Sequence, residues 1–417
     1  MKIVVLGAGV IGVTSAWFLR QAGHEVTVVD RQPGAAQETS FANGGQISVS
    51  HAEPWANPHA PLQALRWLGR EDAPLLFRLR ADPALWAWGL RFLNECRASR
   101  TRDNIRQIVS LGLYSRAQLG ALRQKLGLQY DQMRRGILHF YTDTRHFEAA
   151  QVAAAVMRDQ GCDRRIISTD EAVLIEPVLA AMRQRIVGAD FTPDDESGDA
   201  QRFTELLAEQ SAQAGVNFLW QTGVRRLRME QGRVSAVELT GKDGAAVLTA
   251  DAFVVALGSY SAPFLRQHGL SIPVVPAKGY SATFALSEQS IAPEVSLTDD
   301  ACKIVISRLG QRLRVAGTAE FNGYNLDLNP VRCALLYRRT KELFPQLAPV
   351  GEPDYWTGLR PATPSNRPLI GRFGAANLFL NTGHGTLGWT LSCGSAAALT
   401  TLIERKRPAP EFSFLGA

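Results

Sequence analysis

A chain of 417 residues has room for two domains of ordinary size. Its hydrophobic fraction of 46% and charged fraction of 20% are those of a globular protein, and no apolar stretch reaches the roughly 18 residues that a membrane span needs. The net charge of +6 comes without a basic run, which argues against a nucleic-acid partner and leaves a mild attraction for anions such as nucleotides, carboxylates and acidic lipids. Cys96, Cys162, Cys302, Cys333 and Cys393 are scattered and form no CxxC, and the histidines form neither HExxH nor HxH. Neither a disulfide framework nor a metal site is expected. The N-terminus runs straight into a glycine turn without an apolar leader, so a cytoplasmic location is expected.

In chain order, the β-branched run at 2–6 reads as a buried strand. A glycine turn at 7–12 leads into a helix over 13–19, which Gly23 ends, and Glu25–Asp30 forms a second strand. This is a βαβ unit. Residues 60–130 are rich in helix signals, followed by a strand at 136–141 and a helix at about 146–159. A strand at 186–191 precedes an acidic turn, where Asp199 suits the N-cap of a helix over 200–214. Short strands are expected at 216–220, 224–229, 233–239 and 252–258, and 272–318 is strand-rich. A helix at 330–343, a strand at 378–380 and a helix at 386–403 complete the chain. Helix and strand signals alternate with no clean linker, which predicts domains woven from non-contiguous pieces.

The GxGxxG of Gly7, Gly9 and Gly12 gains force from its context. It follows a strand, opens a helix and precedes an acidic residue, Asp30, at the end of the next strand, 18 residues after Gly12. Gly7 permits the tight turn, Gly9 lets backbone approach a pyrophosphate, and Gly12 lets helix and strand pack closely. The helix N-terminus at Val10 and Ile11 offers free N–H groups to phosphate, and Asp30, with Arg31 beside it, would meet a ribose. Three later stretches favour FAD over a nicotinamide cofactor. The small-residue loop Ser40, Asn43, Gly44, Gly45 and Gln46 suits a flat ring. The strand at 252–258 ends in Gly258, where backbone can pass close to the cofactor, and Val224 opens a neighbouring strand. Gly383, His384, Gly385, Thr386 and Leu387 lead into a helix whose positive end would stabilise charge on a reduced flavin.

With these motifs in place the chain resembles the bacterial FAD-dependent D-amino acid dehydrogenases, relatives of glycine oxidase and D-amino acid oxidase. The resemblance runs nearly end to end, through 7–48, FTPDDESGDAQRF at 191–203, VVALGSYS at 254–261, PAKGYS at 276–281, WTGLRPATPSNRPLIGR at 356–372 and NTGHGTLGWTLSCGSA at 381–396. It implies oxidative deamination of D-amino acids, with electrons passed to a quinone or other respiratory-chain acceptor. It also implies that Arg360, of the GLRP motif, binds the substrate carboxylate, a role its planar fork of donors suits. Some enzymes of this superfamily attach FAD through a histidine in the small-residue loop. Here that position is Ala42, so non-covalent FAD is expected.

Further site candidates are Tyr280, His51, Lys278 and Tyr260. Tyr280 either hydrogen-bonds the carboxylate beside Arg360 or packs in the core. His51 would edge the pocket, and Lys278 would sit near flavin N5 or at a strand edge. His384 is expected to act through its backbone. Between 62 and 92, Trp67, Leu68, Leu75, Leu76, Phe77, Trp86, Trp88 and Phe92 alternate with Arg66, Arg70, Arg78, Arg80 and Arg91. Such a pattern suits either a helix at an anionic inner membrane face or helices packed over the cofactor. The fold expected is α/β, a doubly wound, Rossmann-like FAD domain of the glutathione-reductase type with an interleaved α+β substrate domain. The FAD domain is assigned 1–85, 196–265 and 355–417, and the substrate domain 86–195 and 266–354.

Overall fold

The computed structural model describes residues 1–416 apart from Leu68, Leu79, Lys242 and Asp243. β1 (Lys2–Leu6) runs through the middle of a six-stranded sheet because its apolar residues are buried on both faces. Parallel ladders join it to β2 (Glu25–Val29) and β13 (Ala252–Val255), then outward to β9 (Asn217–Leu219) and β20 (Leu378–Thr382). β19 (Leu369–Arg372) closes one edge antiparallel. Ile3 and Val5 point into one layer and Val4 and Leu6 into the other, as the two-residue period of a strand requires. The first layer is helical: α1 (Val10–Gln21), α7 (Ala200–Gln213) and α10 (Gly388–Ile403), with α4 (Ala98–Leu126) packed on α10. The second layer is formed by the antiparallel strands β10 (Gly223–Glu230), β11 (Arg233–Gly241) and β12 (Gly244–Leu248), with the short α8 (Ser261–Arg266). Helices therefore cover one face of the parallel sheet and mainly strands the other.

A second sheet has the order β18 (Val350–Ala362), β14 (Val275–Ala285), β17 (Arg312–Phe321), β16 (Ile304–Leu309), β15 (Ser296–Asp299), β5 (Ile137–Tyr141), β7 (Gly188–Thr192), β6 (Arg165–Ile167). β4 (Leu75–Phe77) adds to the end of β17. One face packs on α9 (Pro330–Leu343) through Phe284, Ile306, Val315 and Leu336. The residues of opposite parity, including His139, Thr298, Val305 and Ala316, face the first domain across a cavity. A two-stranded ladder of β3 (Gln46–Ile47) and β8 (Glu196–Ser197) ties the layers together. The helices α2 (Ala60–Trp67), α3 (Pro83–Glu95), α5 (Thr144–Asp159) and α6 (Thr169–Ile175) lie around this sheet.

Sheet membership differs from the expected segments at three places. β4 and the whole of β18 hydrogen-bond in the second sheet, although 75–77 and 355–362 were assigned to the FAD domain. α4 packs on α10 and thus on the first domain, since a Cβ at Gly394 would press on Ser115. Local hydrophobic pattern identifies such elements without revealing which core they join. Among the described residues no helix is long and apolar enough to cross a membrane.

Candidate active site

A cavity of about 870 Å³ runs between the two sheets, near the top of the range for small-molecule sites. At one end the glycine turn lines it. Gly7 has φ +105°, and a Cβ there would lie 2.6 Å from the Ala256 carbonyl oxygen. A Cβ on Gly12 would collide with the Gly7 carbonyl, so Gly12 sets the helix–strand approach and stays off the cavity wall. Gly9 opens to the cavity, its Cβ direction meeting only Ser40 Oγ, at 3.4 Å. α1 has no cap from its own N-cap residue, and the Val10 N–H donates to Ser40 Oγ at 3.1 Å. Asp30 Oδ2 accepts from the Ala8 N–H at 2.6 Å and Oδ1 from the Gln32 N–H at 2.8 Å. The carboxylate thereby fixes the turn while facing the cavity, and burial raises its pKa. Arg31 pairs with Glu38 at 2.6 Å and lies 4.1 Å over the ring of Tyr260. Val224, Gly258 and Tyr260 complete this end.

The loop at 40–46 is seated on the second sheet. Asn43 Oδ1 accepts from the Gly45 N–H at 2.9 Å, and Gln46 Nε2 donates to Ser296 Oγ at 3.0 Å and Thr298 Oγ1 at 3.1 Å. A Cβ on Gly44 would strike Val305. Opposite, Gly385, Thr386 and Leu387 line the cavity at the uncapped start of α10. Gly383 stays behind the wall, its Cβ direction meeting Thr363 Cγ2 at 2.7 Å. His384 Nε2 shares a hydrogen bond with Ser395 Oγ at 3.0 Å, and its buried Nδ1 has no partner in the described chain. Burial pushes its pKa down to about 3, so the ring is neutral. Two helix starts whose N-cap residues supply no side-chain cap, a glycine turn and an orphaned ring nitrogen, all on one elongated cavity, fit a dinucleotide with an attached flat ring.

At the other end stands Arg360, on β18. Its guanidinium lies over Gly279 of β14, where a Cβ would strike Cζ. Nη1 donates to the Thr318 carbonyl at 2.7 Å, and no carboxylate in the described chain pairs with it. Burial, and secondarily Arg332, lowers its pKa to about 10, so it remains a cation. An aromatic wall adjoins it: Phe77 stacks on Phe321 with ring centroids 4.7 Å apart, and Trp55 and Trp88 approach Phe321 edge-on or tilted.

Lys278 does not line this cavity. It shares the parity of residues packed on α9, where Nζ donates to Asn325 Oδ1 at 3.0 Å and the Asp327 carbonyl at 2.9 Å and pairs with Glu320 at 3.3 Å. Tyr280, two residues on, donates its hydroxyl to Glu320 and has the Arg332 guanidinium over its ring. It touches the cavity wall, but its hydroxyl is committed to that buried cluster. His51 does line the cavity, edge-on to His139 with ring centroids 5.8 Å apart. Burial pushes the two rings down to about 3 and about 4, so both are neutral.

His51 is positioned by Asp195. This buried carboxylate accepts from the Val49 N–H at 3.0 Å, the Ser50 N–H at 3.1 Å, Ser50 Oγ at 2.7 Å and Ser48 Oγ at 3.0 Å. Asp195→Ala strands these donors and is expected to lower unfolding stability by about 3 kcal/mol in denaturant titrations. Glu53, His139, Arg164, Asp300 and Lys303, which also line this end, belong to no motif legible in the sequence. His139 sits in an apolar strand, a visible signal for a polar wall, but the face it uses depends on tertiary packing.

A parallel sheet carrying a glycine turn, joined to a second sheet across one elongated cavity, is the architecture of a dinucleotide-dependent oxidoreductase. The chain belongs to the FAD dependent oxidoreductase family, whose pattern matches residues 2–402. It is 62% identical over 416 residues to a D-amino acid dehydrogenase of Dechloromonas aromatica, covering 100% of both chains. It is 51% identical over 417 residues to a D-amino acid dehydrogenase of Paramagnetospirillum magneticum, covering 100% of this chain and 98% of the other. Among solved structures it shares its fold with glycine oxidase from Geobacillus kaustophilus, at TM-score 0.75 and 21% identity over 98% of this chain and 96% of that one. An L-proline dehydrogenase from P. horikoshii is similar at TM-score 0.76 and 16% identity, covering 97% and 93%.

Proposed function

We propose that this chain oxidatively deaminates D-amino acids to 2-oxo acids and ammonia and passes the electrons to a quinone or other respiratory acceptor. The observation that carries this reading is Arg360, a buried cation without an anionic partner in the cavity that holds the dinucleotide turn. The relatives named D-amino acid dehydrogenase support the D configuration. When bound, FAD supplies the hydride acceptor. The chain supplies binding and orientation: the turn at Gly7–Ile11 and Asp30 hold the nucleotide, and the loop at 40–46 and the start of α10 flank the ring. Arg360 takes the α-carboxylate through its free N–H groups, while its bond to the Thr318 carbonyl keeps the fork fixed. The aromatic wall excludes water from the α-carbon.

Yellow holoenzyme assayed with a dye acceptor should oxidise D-amino acids and leave their L-enantiomers untouched; activity on L-amino acids alone would reject the reading. Peroxide formed in step with substrate loss would instead select an oxidase. The FAD is held non-covalently: Ala42 replaces the histidine of covalent relatives, and no cysteine lies among the lining residues. Acid precipitation should therefore leave the flavin in the supernatant.

The reading extends to the inner face of the cytoplasmic membrane. The stretch at 62–92 is not one helix: Trp88 and Leu76 are buried, and Leu68 lies outside the described residues. α2 and α3 nevertheless expose Leu65 (70%) and Leu90 (71%), with Leu62, Trp86 and Leu93, and carry Arg66 and Arg91. Leu62 and Arg66 also line the mouth of the cavity. This arrangement suits a peripheral contact that delivers electrons to an acceptor in an anionic leaflet. Flotation with anionic vesicles, reversed by salt and weakened by Leu65→Glu, is the expected outcome; recovery entirely in the unbound fraction would reject it.

A further inference from the structure

Four carboxylates line the cavity: Asp30, Glu38, Glu53 and Asp300. Three are engaged. Asp30 accepts two backbone N–H bonds, Glu38 pairs with Arg31, and Asp300 pairs with His146 at 2.7 Å and with Lys303. Glu53 accepts no hydrogen bond and forms no ion pair among the described residues. The cations nearest to it are already committed. Arg164 holds both oxygens of Asp190, at 2.9 and 2.7 Å, and also donates to the Ser50 carbonyl at 3.3 Å; Lys303 is taken by Asp300. His51 and His139, beside it, are neutral. Among the described residues the cavity thus has one uncommitted anion, and Arg360 is its buried cation without an anion; Arg66 and Arg145, also unpaired, stand at exposed helix positions on its rim.

Their separation is set by the second sheet. The Arg360 guanidinium lies against Gly279 and Thr318, on β14 and β17. Glu53 follows His51, whose ring meets His139 on β5. From β17 to β5 the order is β17, β16, β15, β5, three steps or about 14 Å across the sheet, and Thr318 lies two residues along β17 from Ala316, the residue in line with His139, so the two positions are about 16 Å apart at ordinary strand geometry. The charges acting on Glu53 are those of Arg164, Lys303, Asp300 and Asp190, whereas Arg360 feels Arg332. The α-ammonium of an amino acid anchored at Arg360 is separated from its carboxylate by a single carbon and falls far short of Glu53. A stem of lysine or arginine length carries its distal cation from Arg360 toward the Glu53 end of the cavity, with a charge-assisted contact of about 2.8 Å at each end.

We propose that Glu53 forms a distal subsite for the cationic end of a basic D-amino acid whose α-carboxylate is held by Arg360. The proposal rests on the D-amino acid reading above. Burial raises the Glu53 pKa, so the empty subsite is ionised progressively as pH rises through that raised value, and affinity for a distal cation rises with it. Arg164 and Asp190 stay paired and His51 and His139 stay neutral as Glu53 ionises, while His146, whose pKa is raised by its pairing with Asp300, loses its charge only as pH rises through that higher value.

The test compares D-lysine with D-norleucine, which lacks only the distal ammonium, on holoenzyme of matched flavin content. In Glu53→Gln, the KM for D-lysine is expected to rise at least about tenfold while kcat/KM for D-norleucine changes less than about twofold. The rise with pH in the D-lysine to D-norleucine preference should disappear in the same variant. Glu53→Met should shift the preference toward D-norleucine, an outcome that general misfolding does not produce. Equal losses with both substrates, or an unchanged KM for D-lysine, would overturn the subsite. Wild-type holoenzyme that oxidises other D-amino acids but not D-lysine would likewise overturn the subsite, whereas holoenzyme that oxidises no D-amino acid of a panel would overturn the reading on which it rests.

Discussion

Arg360→Ala is expected to lower kcat/KM for D-amino acids by about three orders of magnitude, with flavin content unchanged. Truncating one partner of a buried, charge-assisted pair costs about 2–5 kcal/mol, and each 1.4 kcal/mol is tenfold. The guanidinium makes one protein hydrogen bond, to Thr318, so most of its donors are left for a ligand. Arg360→Lys keeps the charge but loses the planar fork, and should recover only part of the activity. Stability should move the other way. A buried cation with no anion destabilises the empty protein, as its lowered pKa indicates, so Arg360→Met should unfold at an equal or higher temperature than the wild type. Loss of activity together with loss of flavin and of thermal stability would mean that Arg360 serves the fold rather than the substrate.

The two glycines of the turn are expected to fail differently. A methyl group on Gly12 would collide with the Gly7 carbonyl, which is backbone between a buried strand and the helix and has nowhere to go. Gly12→Ala should therefore give protein that is largely insoluble or loses several kcal/mol of stability. A methyl group on Gly9 meets only Ser40 Oγ, at 3.4 Å, and otherwise enters the cavity. Gly9→Ala should fold with wild-type circular dichroism and yet bind FAD at least about tenfold more weakly, because the backbone can no longer approach the pyrophosphate. Measuring flavin content and melting temperature for both separates the roles; identical behaviour of the pair would remove the distinction.

Much of the nucleotide end was legible because it is local. The strand, turn, helix and Asp30 lie within 30 residues, and their spacing follows from backbone geometry. The helix at 330–343 and the strand at 378–380 were also plain, since periodicity and caps such as Asn329 are local signals. Lys278 was misplaced, and the choice left open for Tyr280 falls to the core, for an equally physical reason. Alternation says that they share a face of β14, but α9, which arrives some 50 residues later, decides that this face is the core. Glu53 went unnoticed because a lone glutamate in a loop carries no pattern. Its interest comes from the absence of partners, which sequence alone does not reveal. Arg164 likewise reads as an ordinary surface arginine until Asp190 and Tyr141 are placed around it.

The order of strands in the first sheet has a consequence for biosynthesis. β13 and β20 lie on one side of β1, and they emerge from the ribosome about 250 and 380 residues after the chain begins. Until then the edge of β1 and the apolar side of α1 that receives α10 are uncovered. Nascent chains would have to be shielded from sticking to one another throughout that interval. A stop codon shortly before 378 should thus yield an insoluble, colourless product even though every residue of the nucleotide turn has been made.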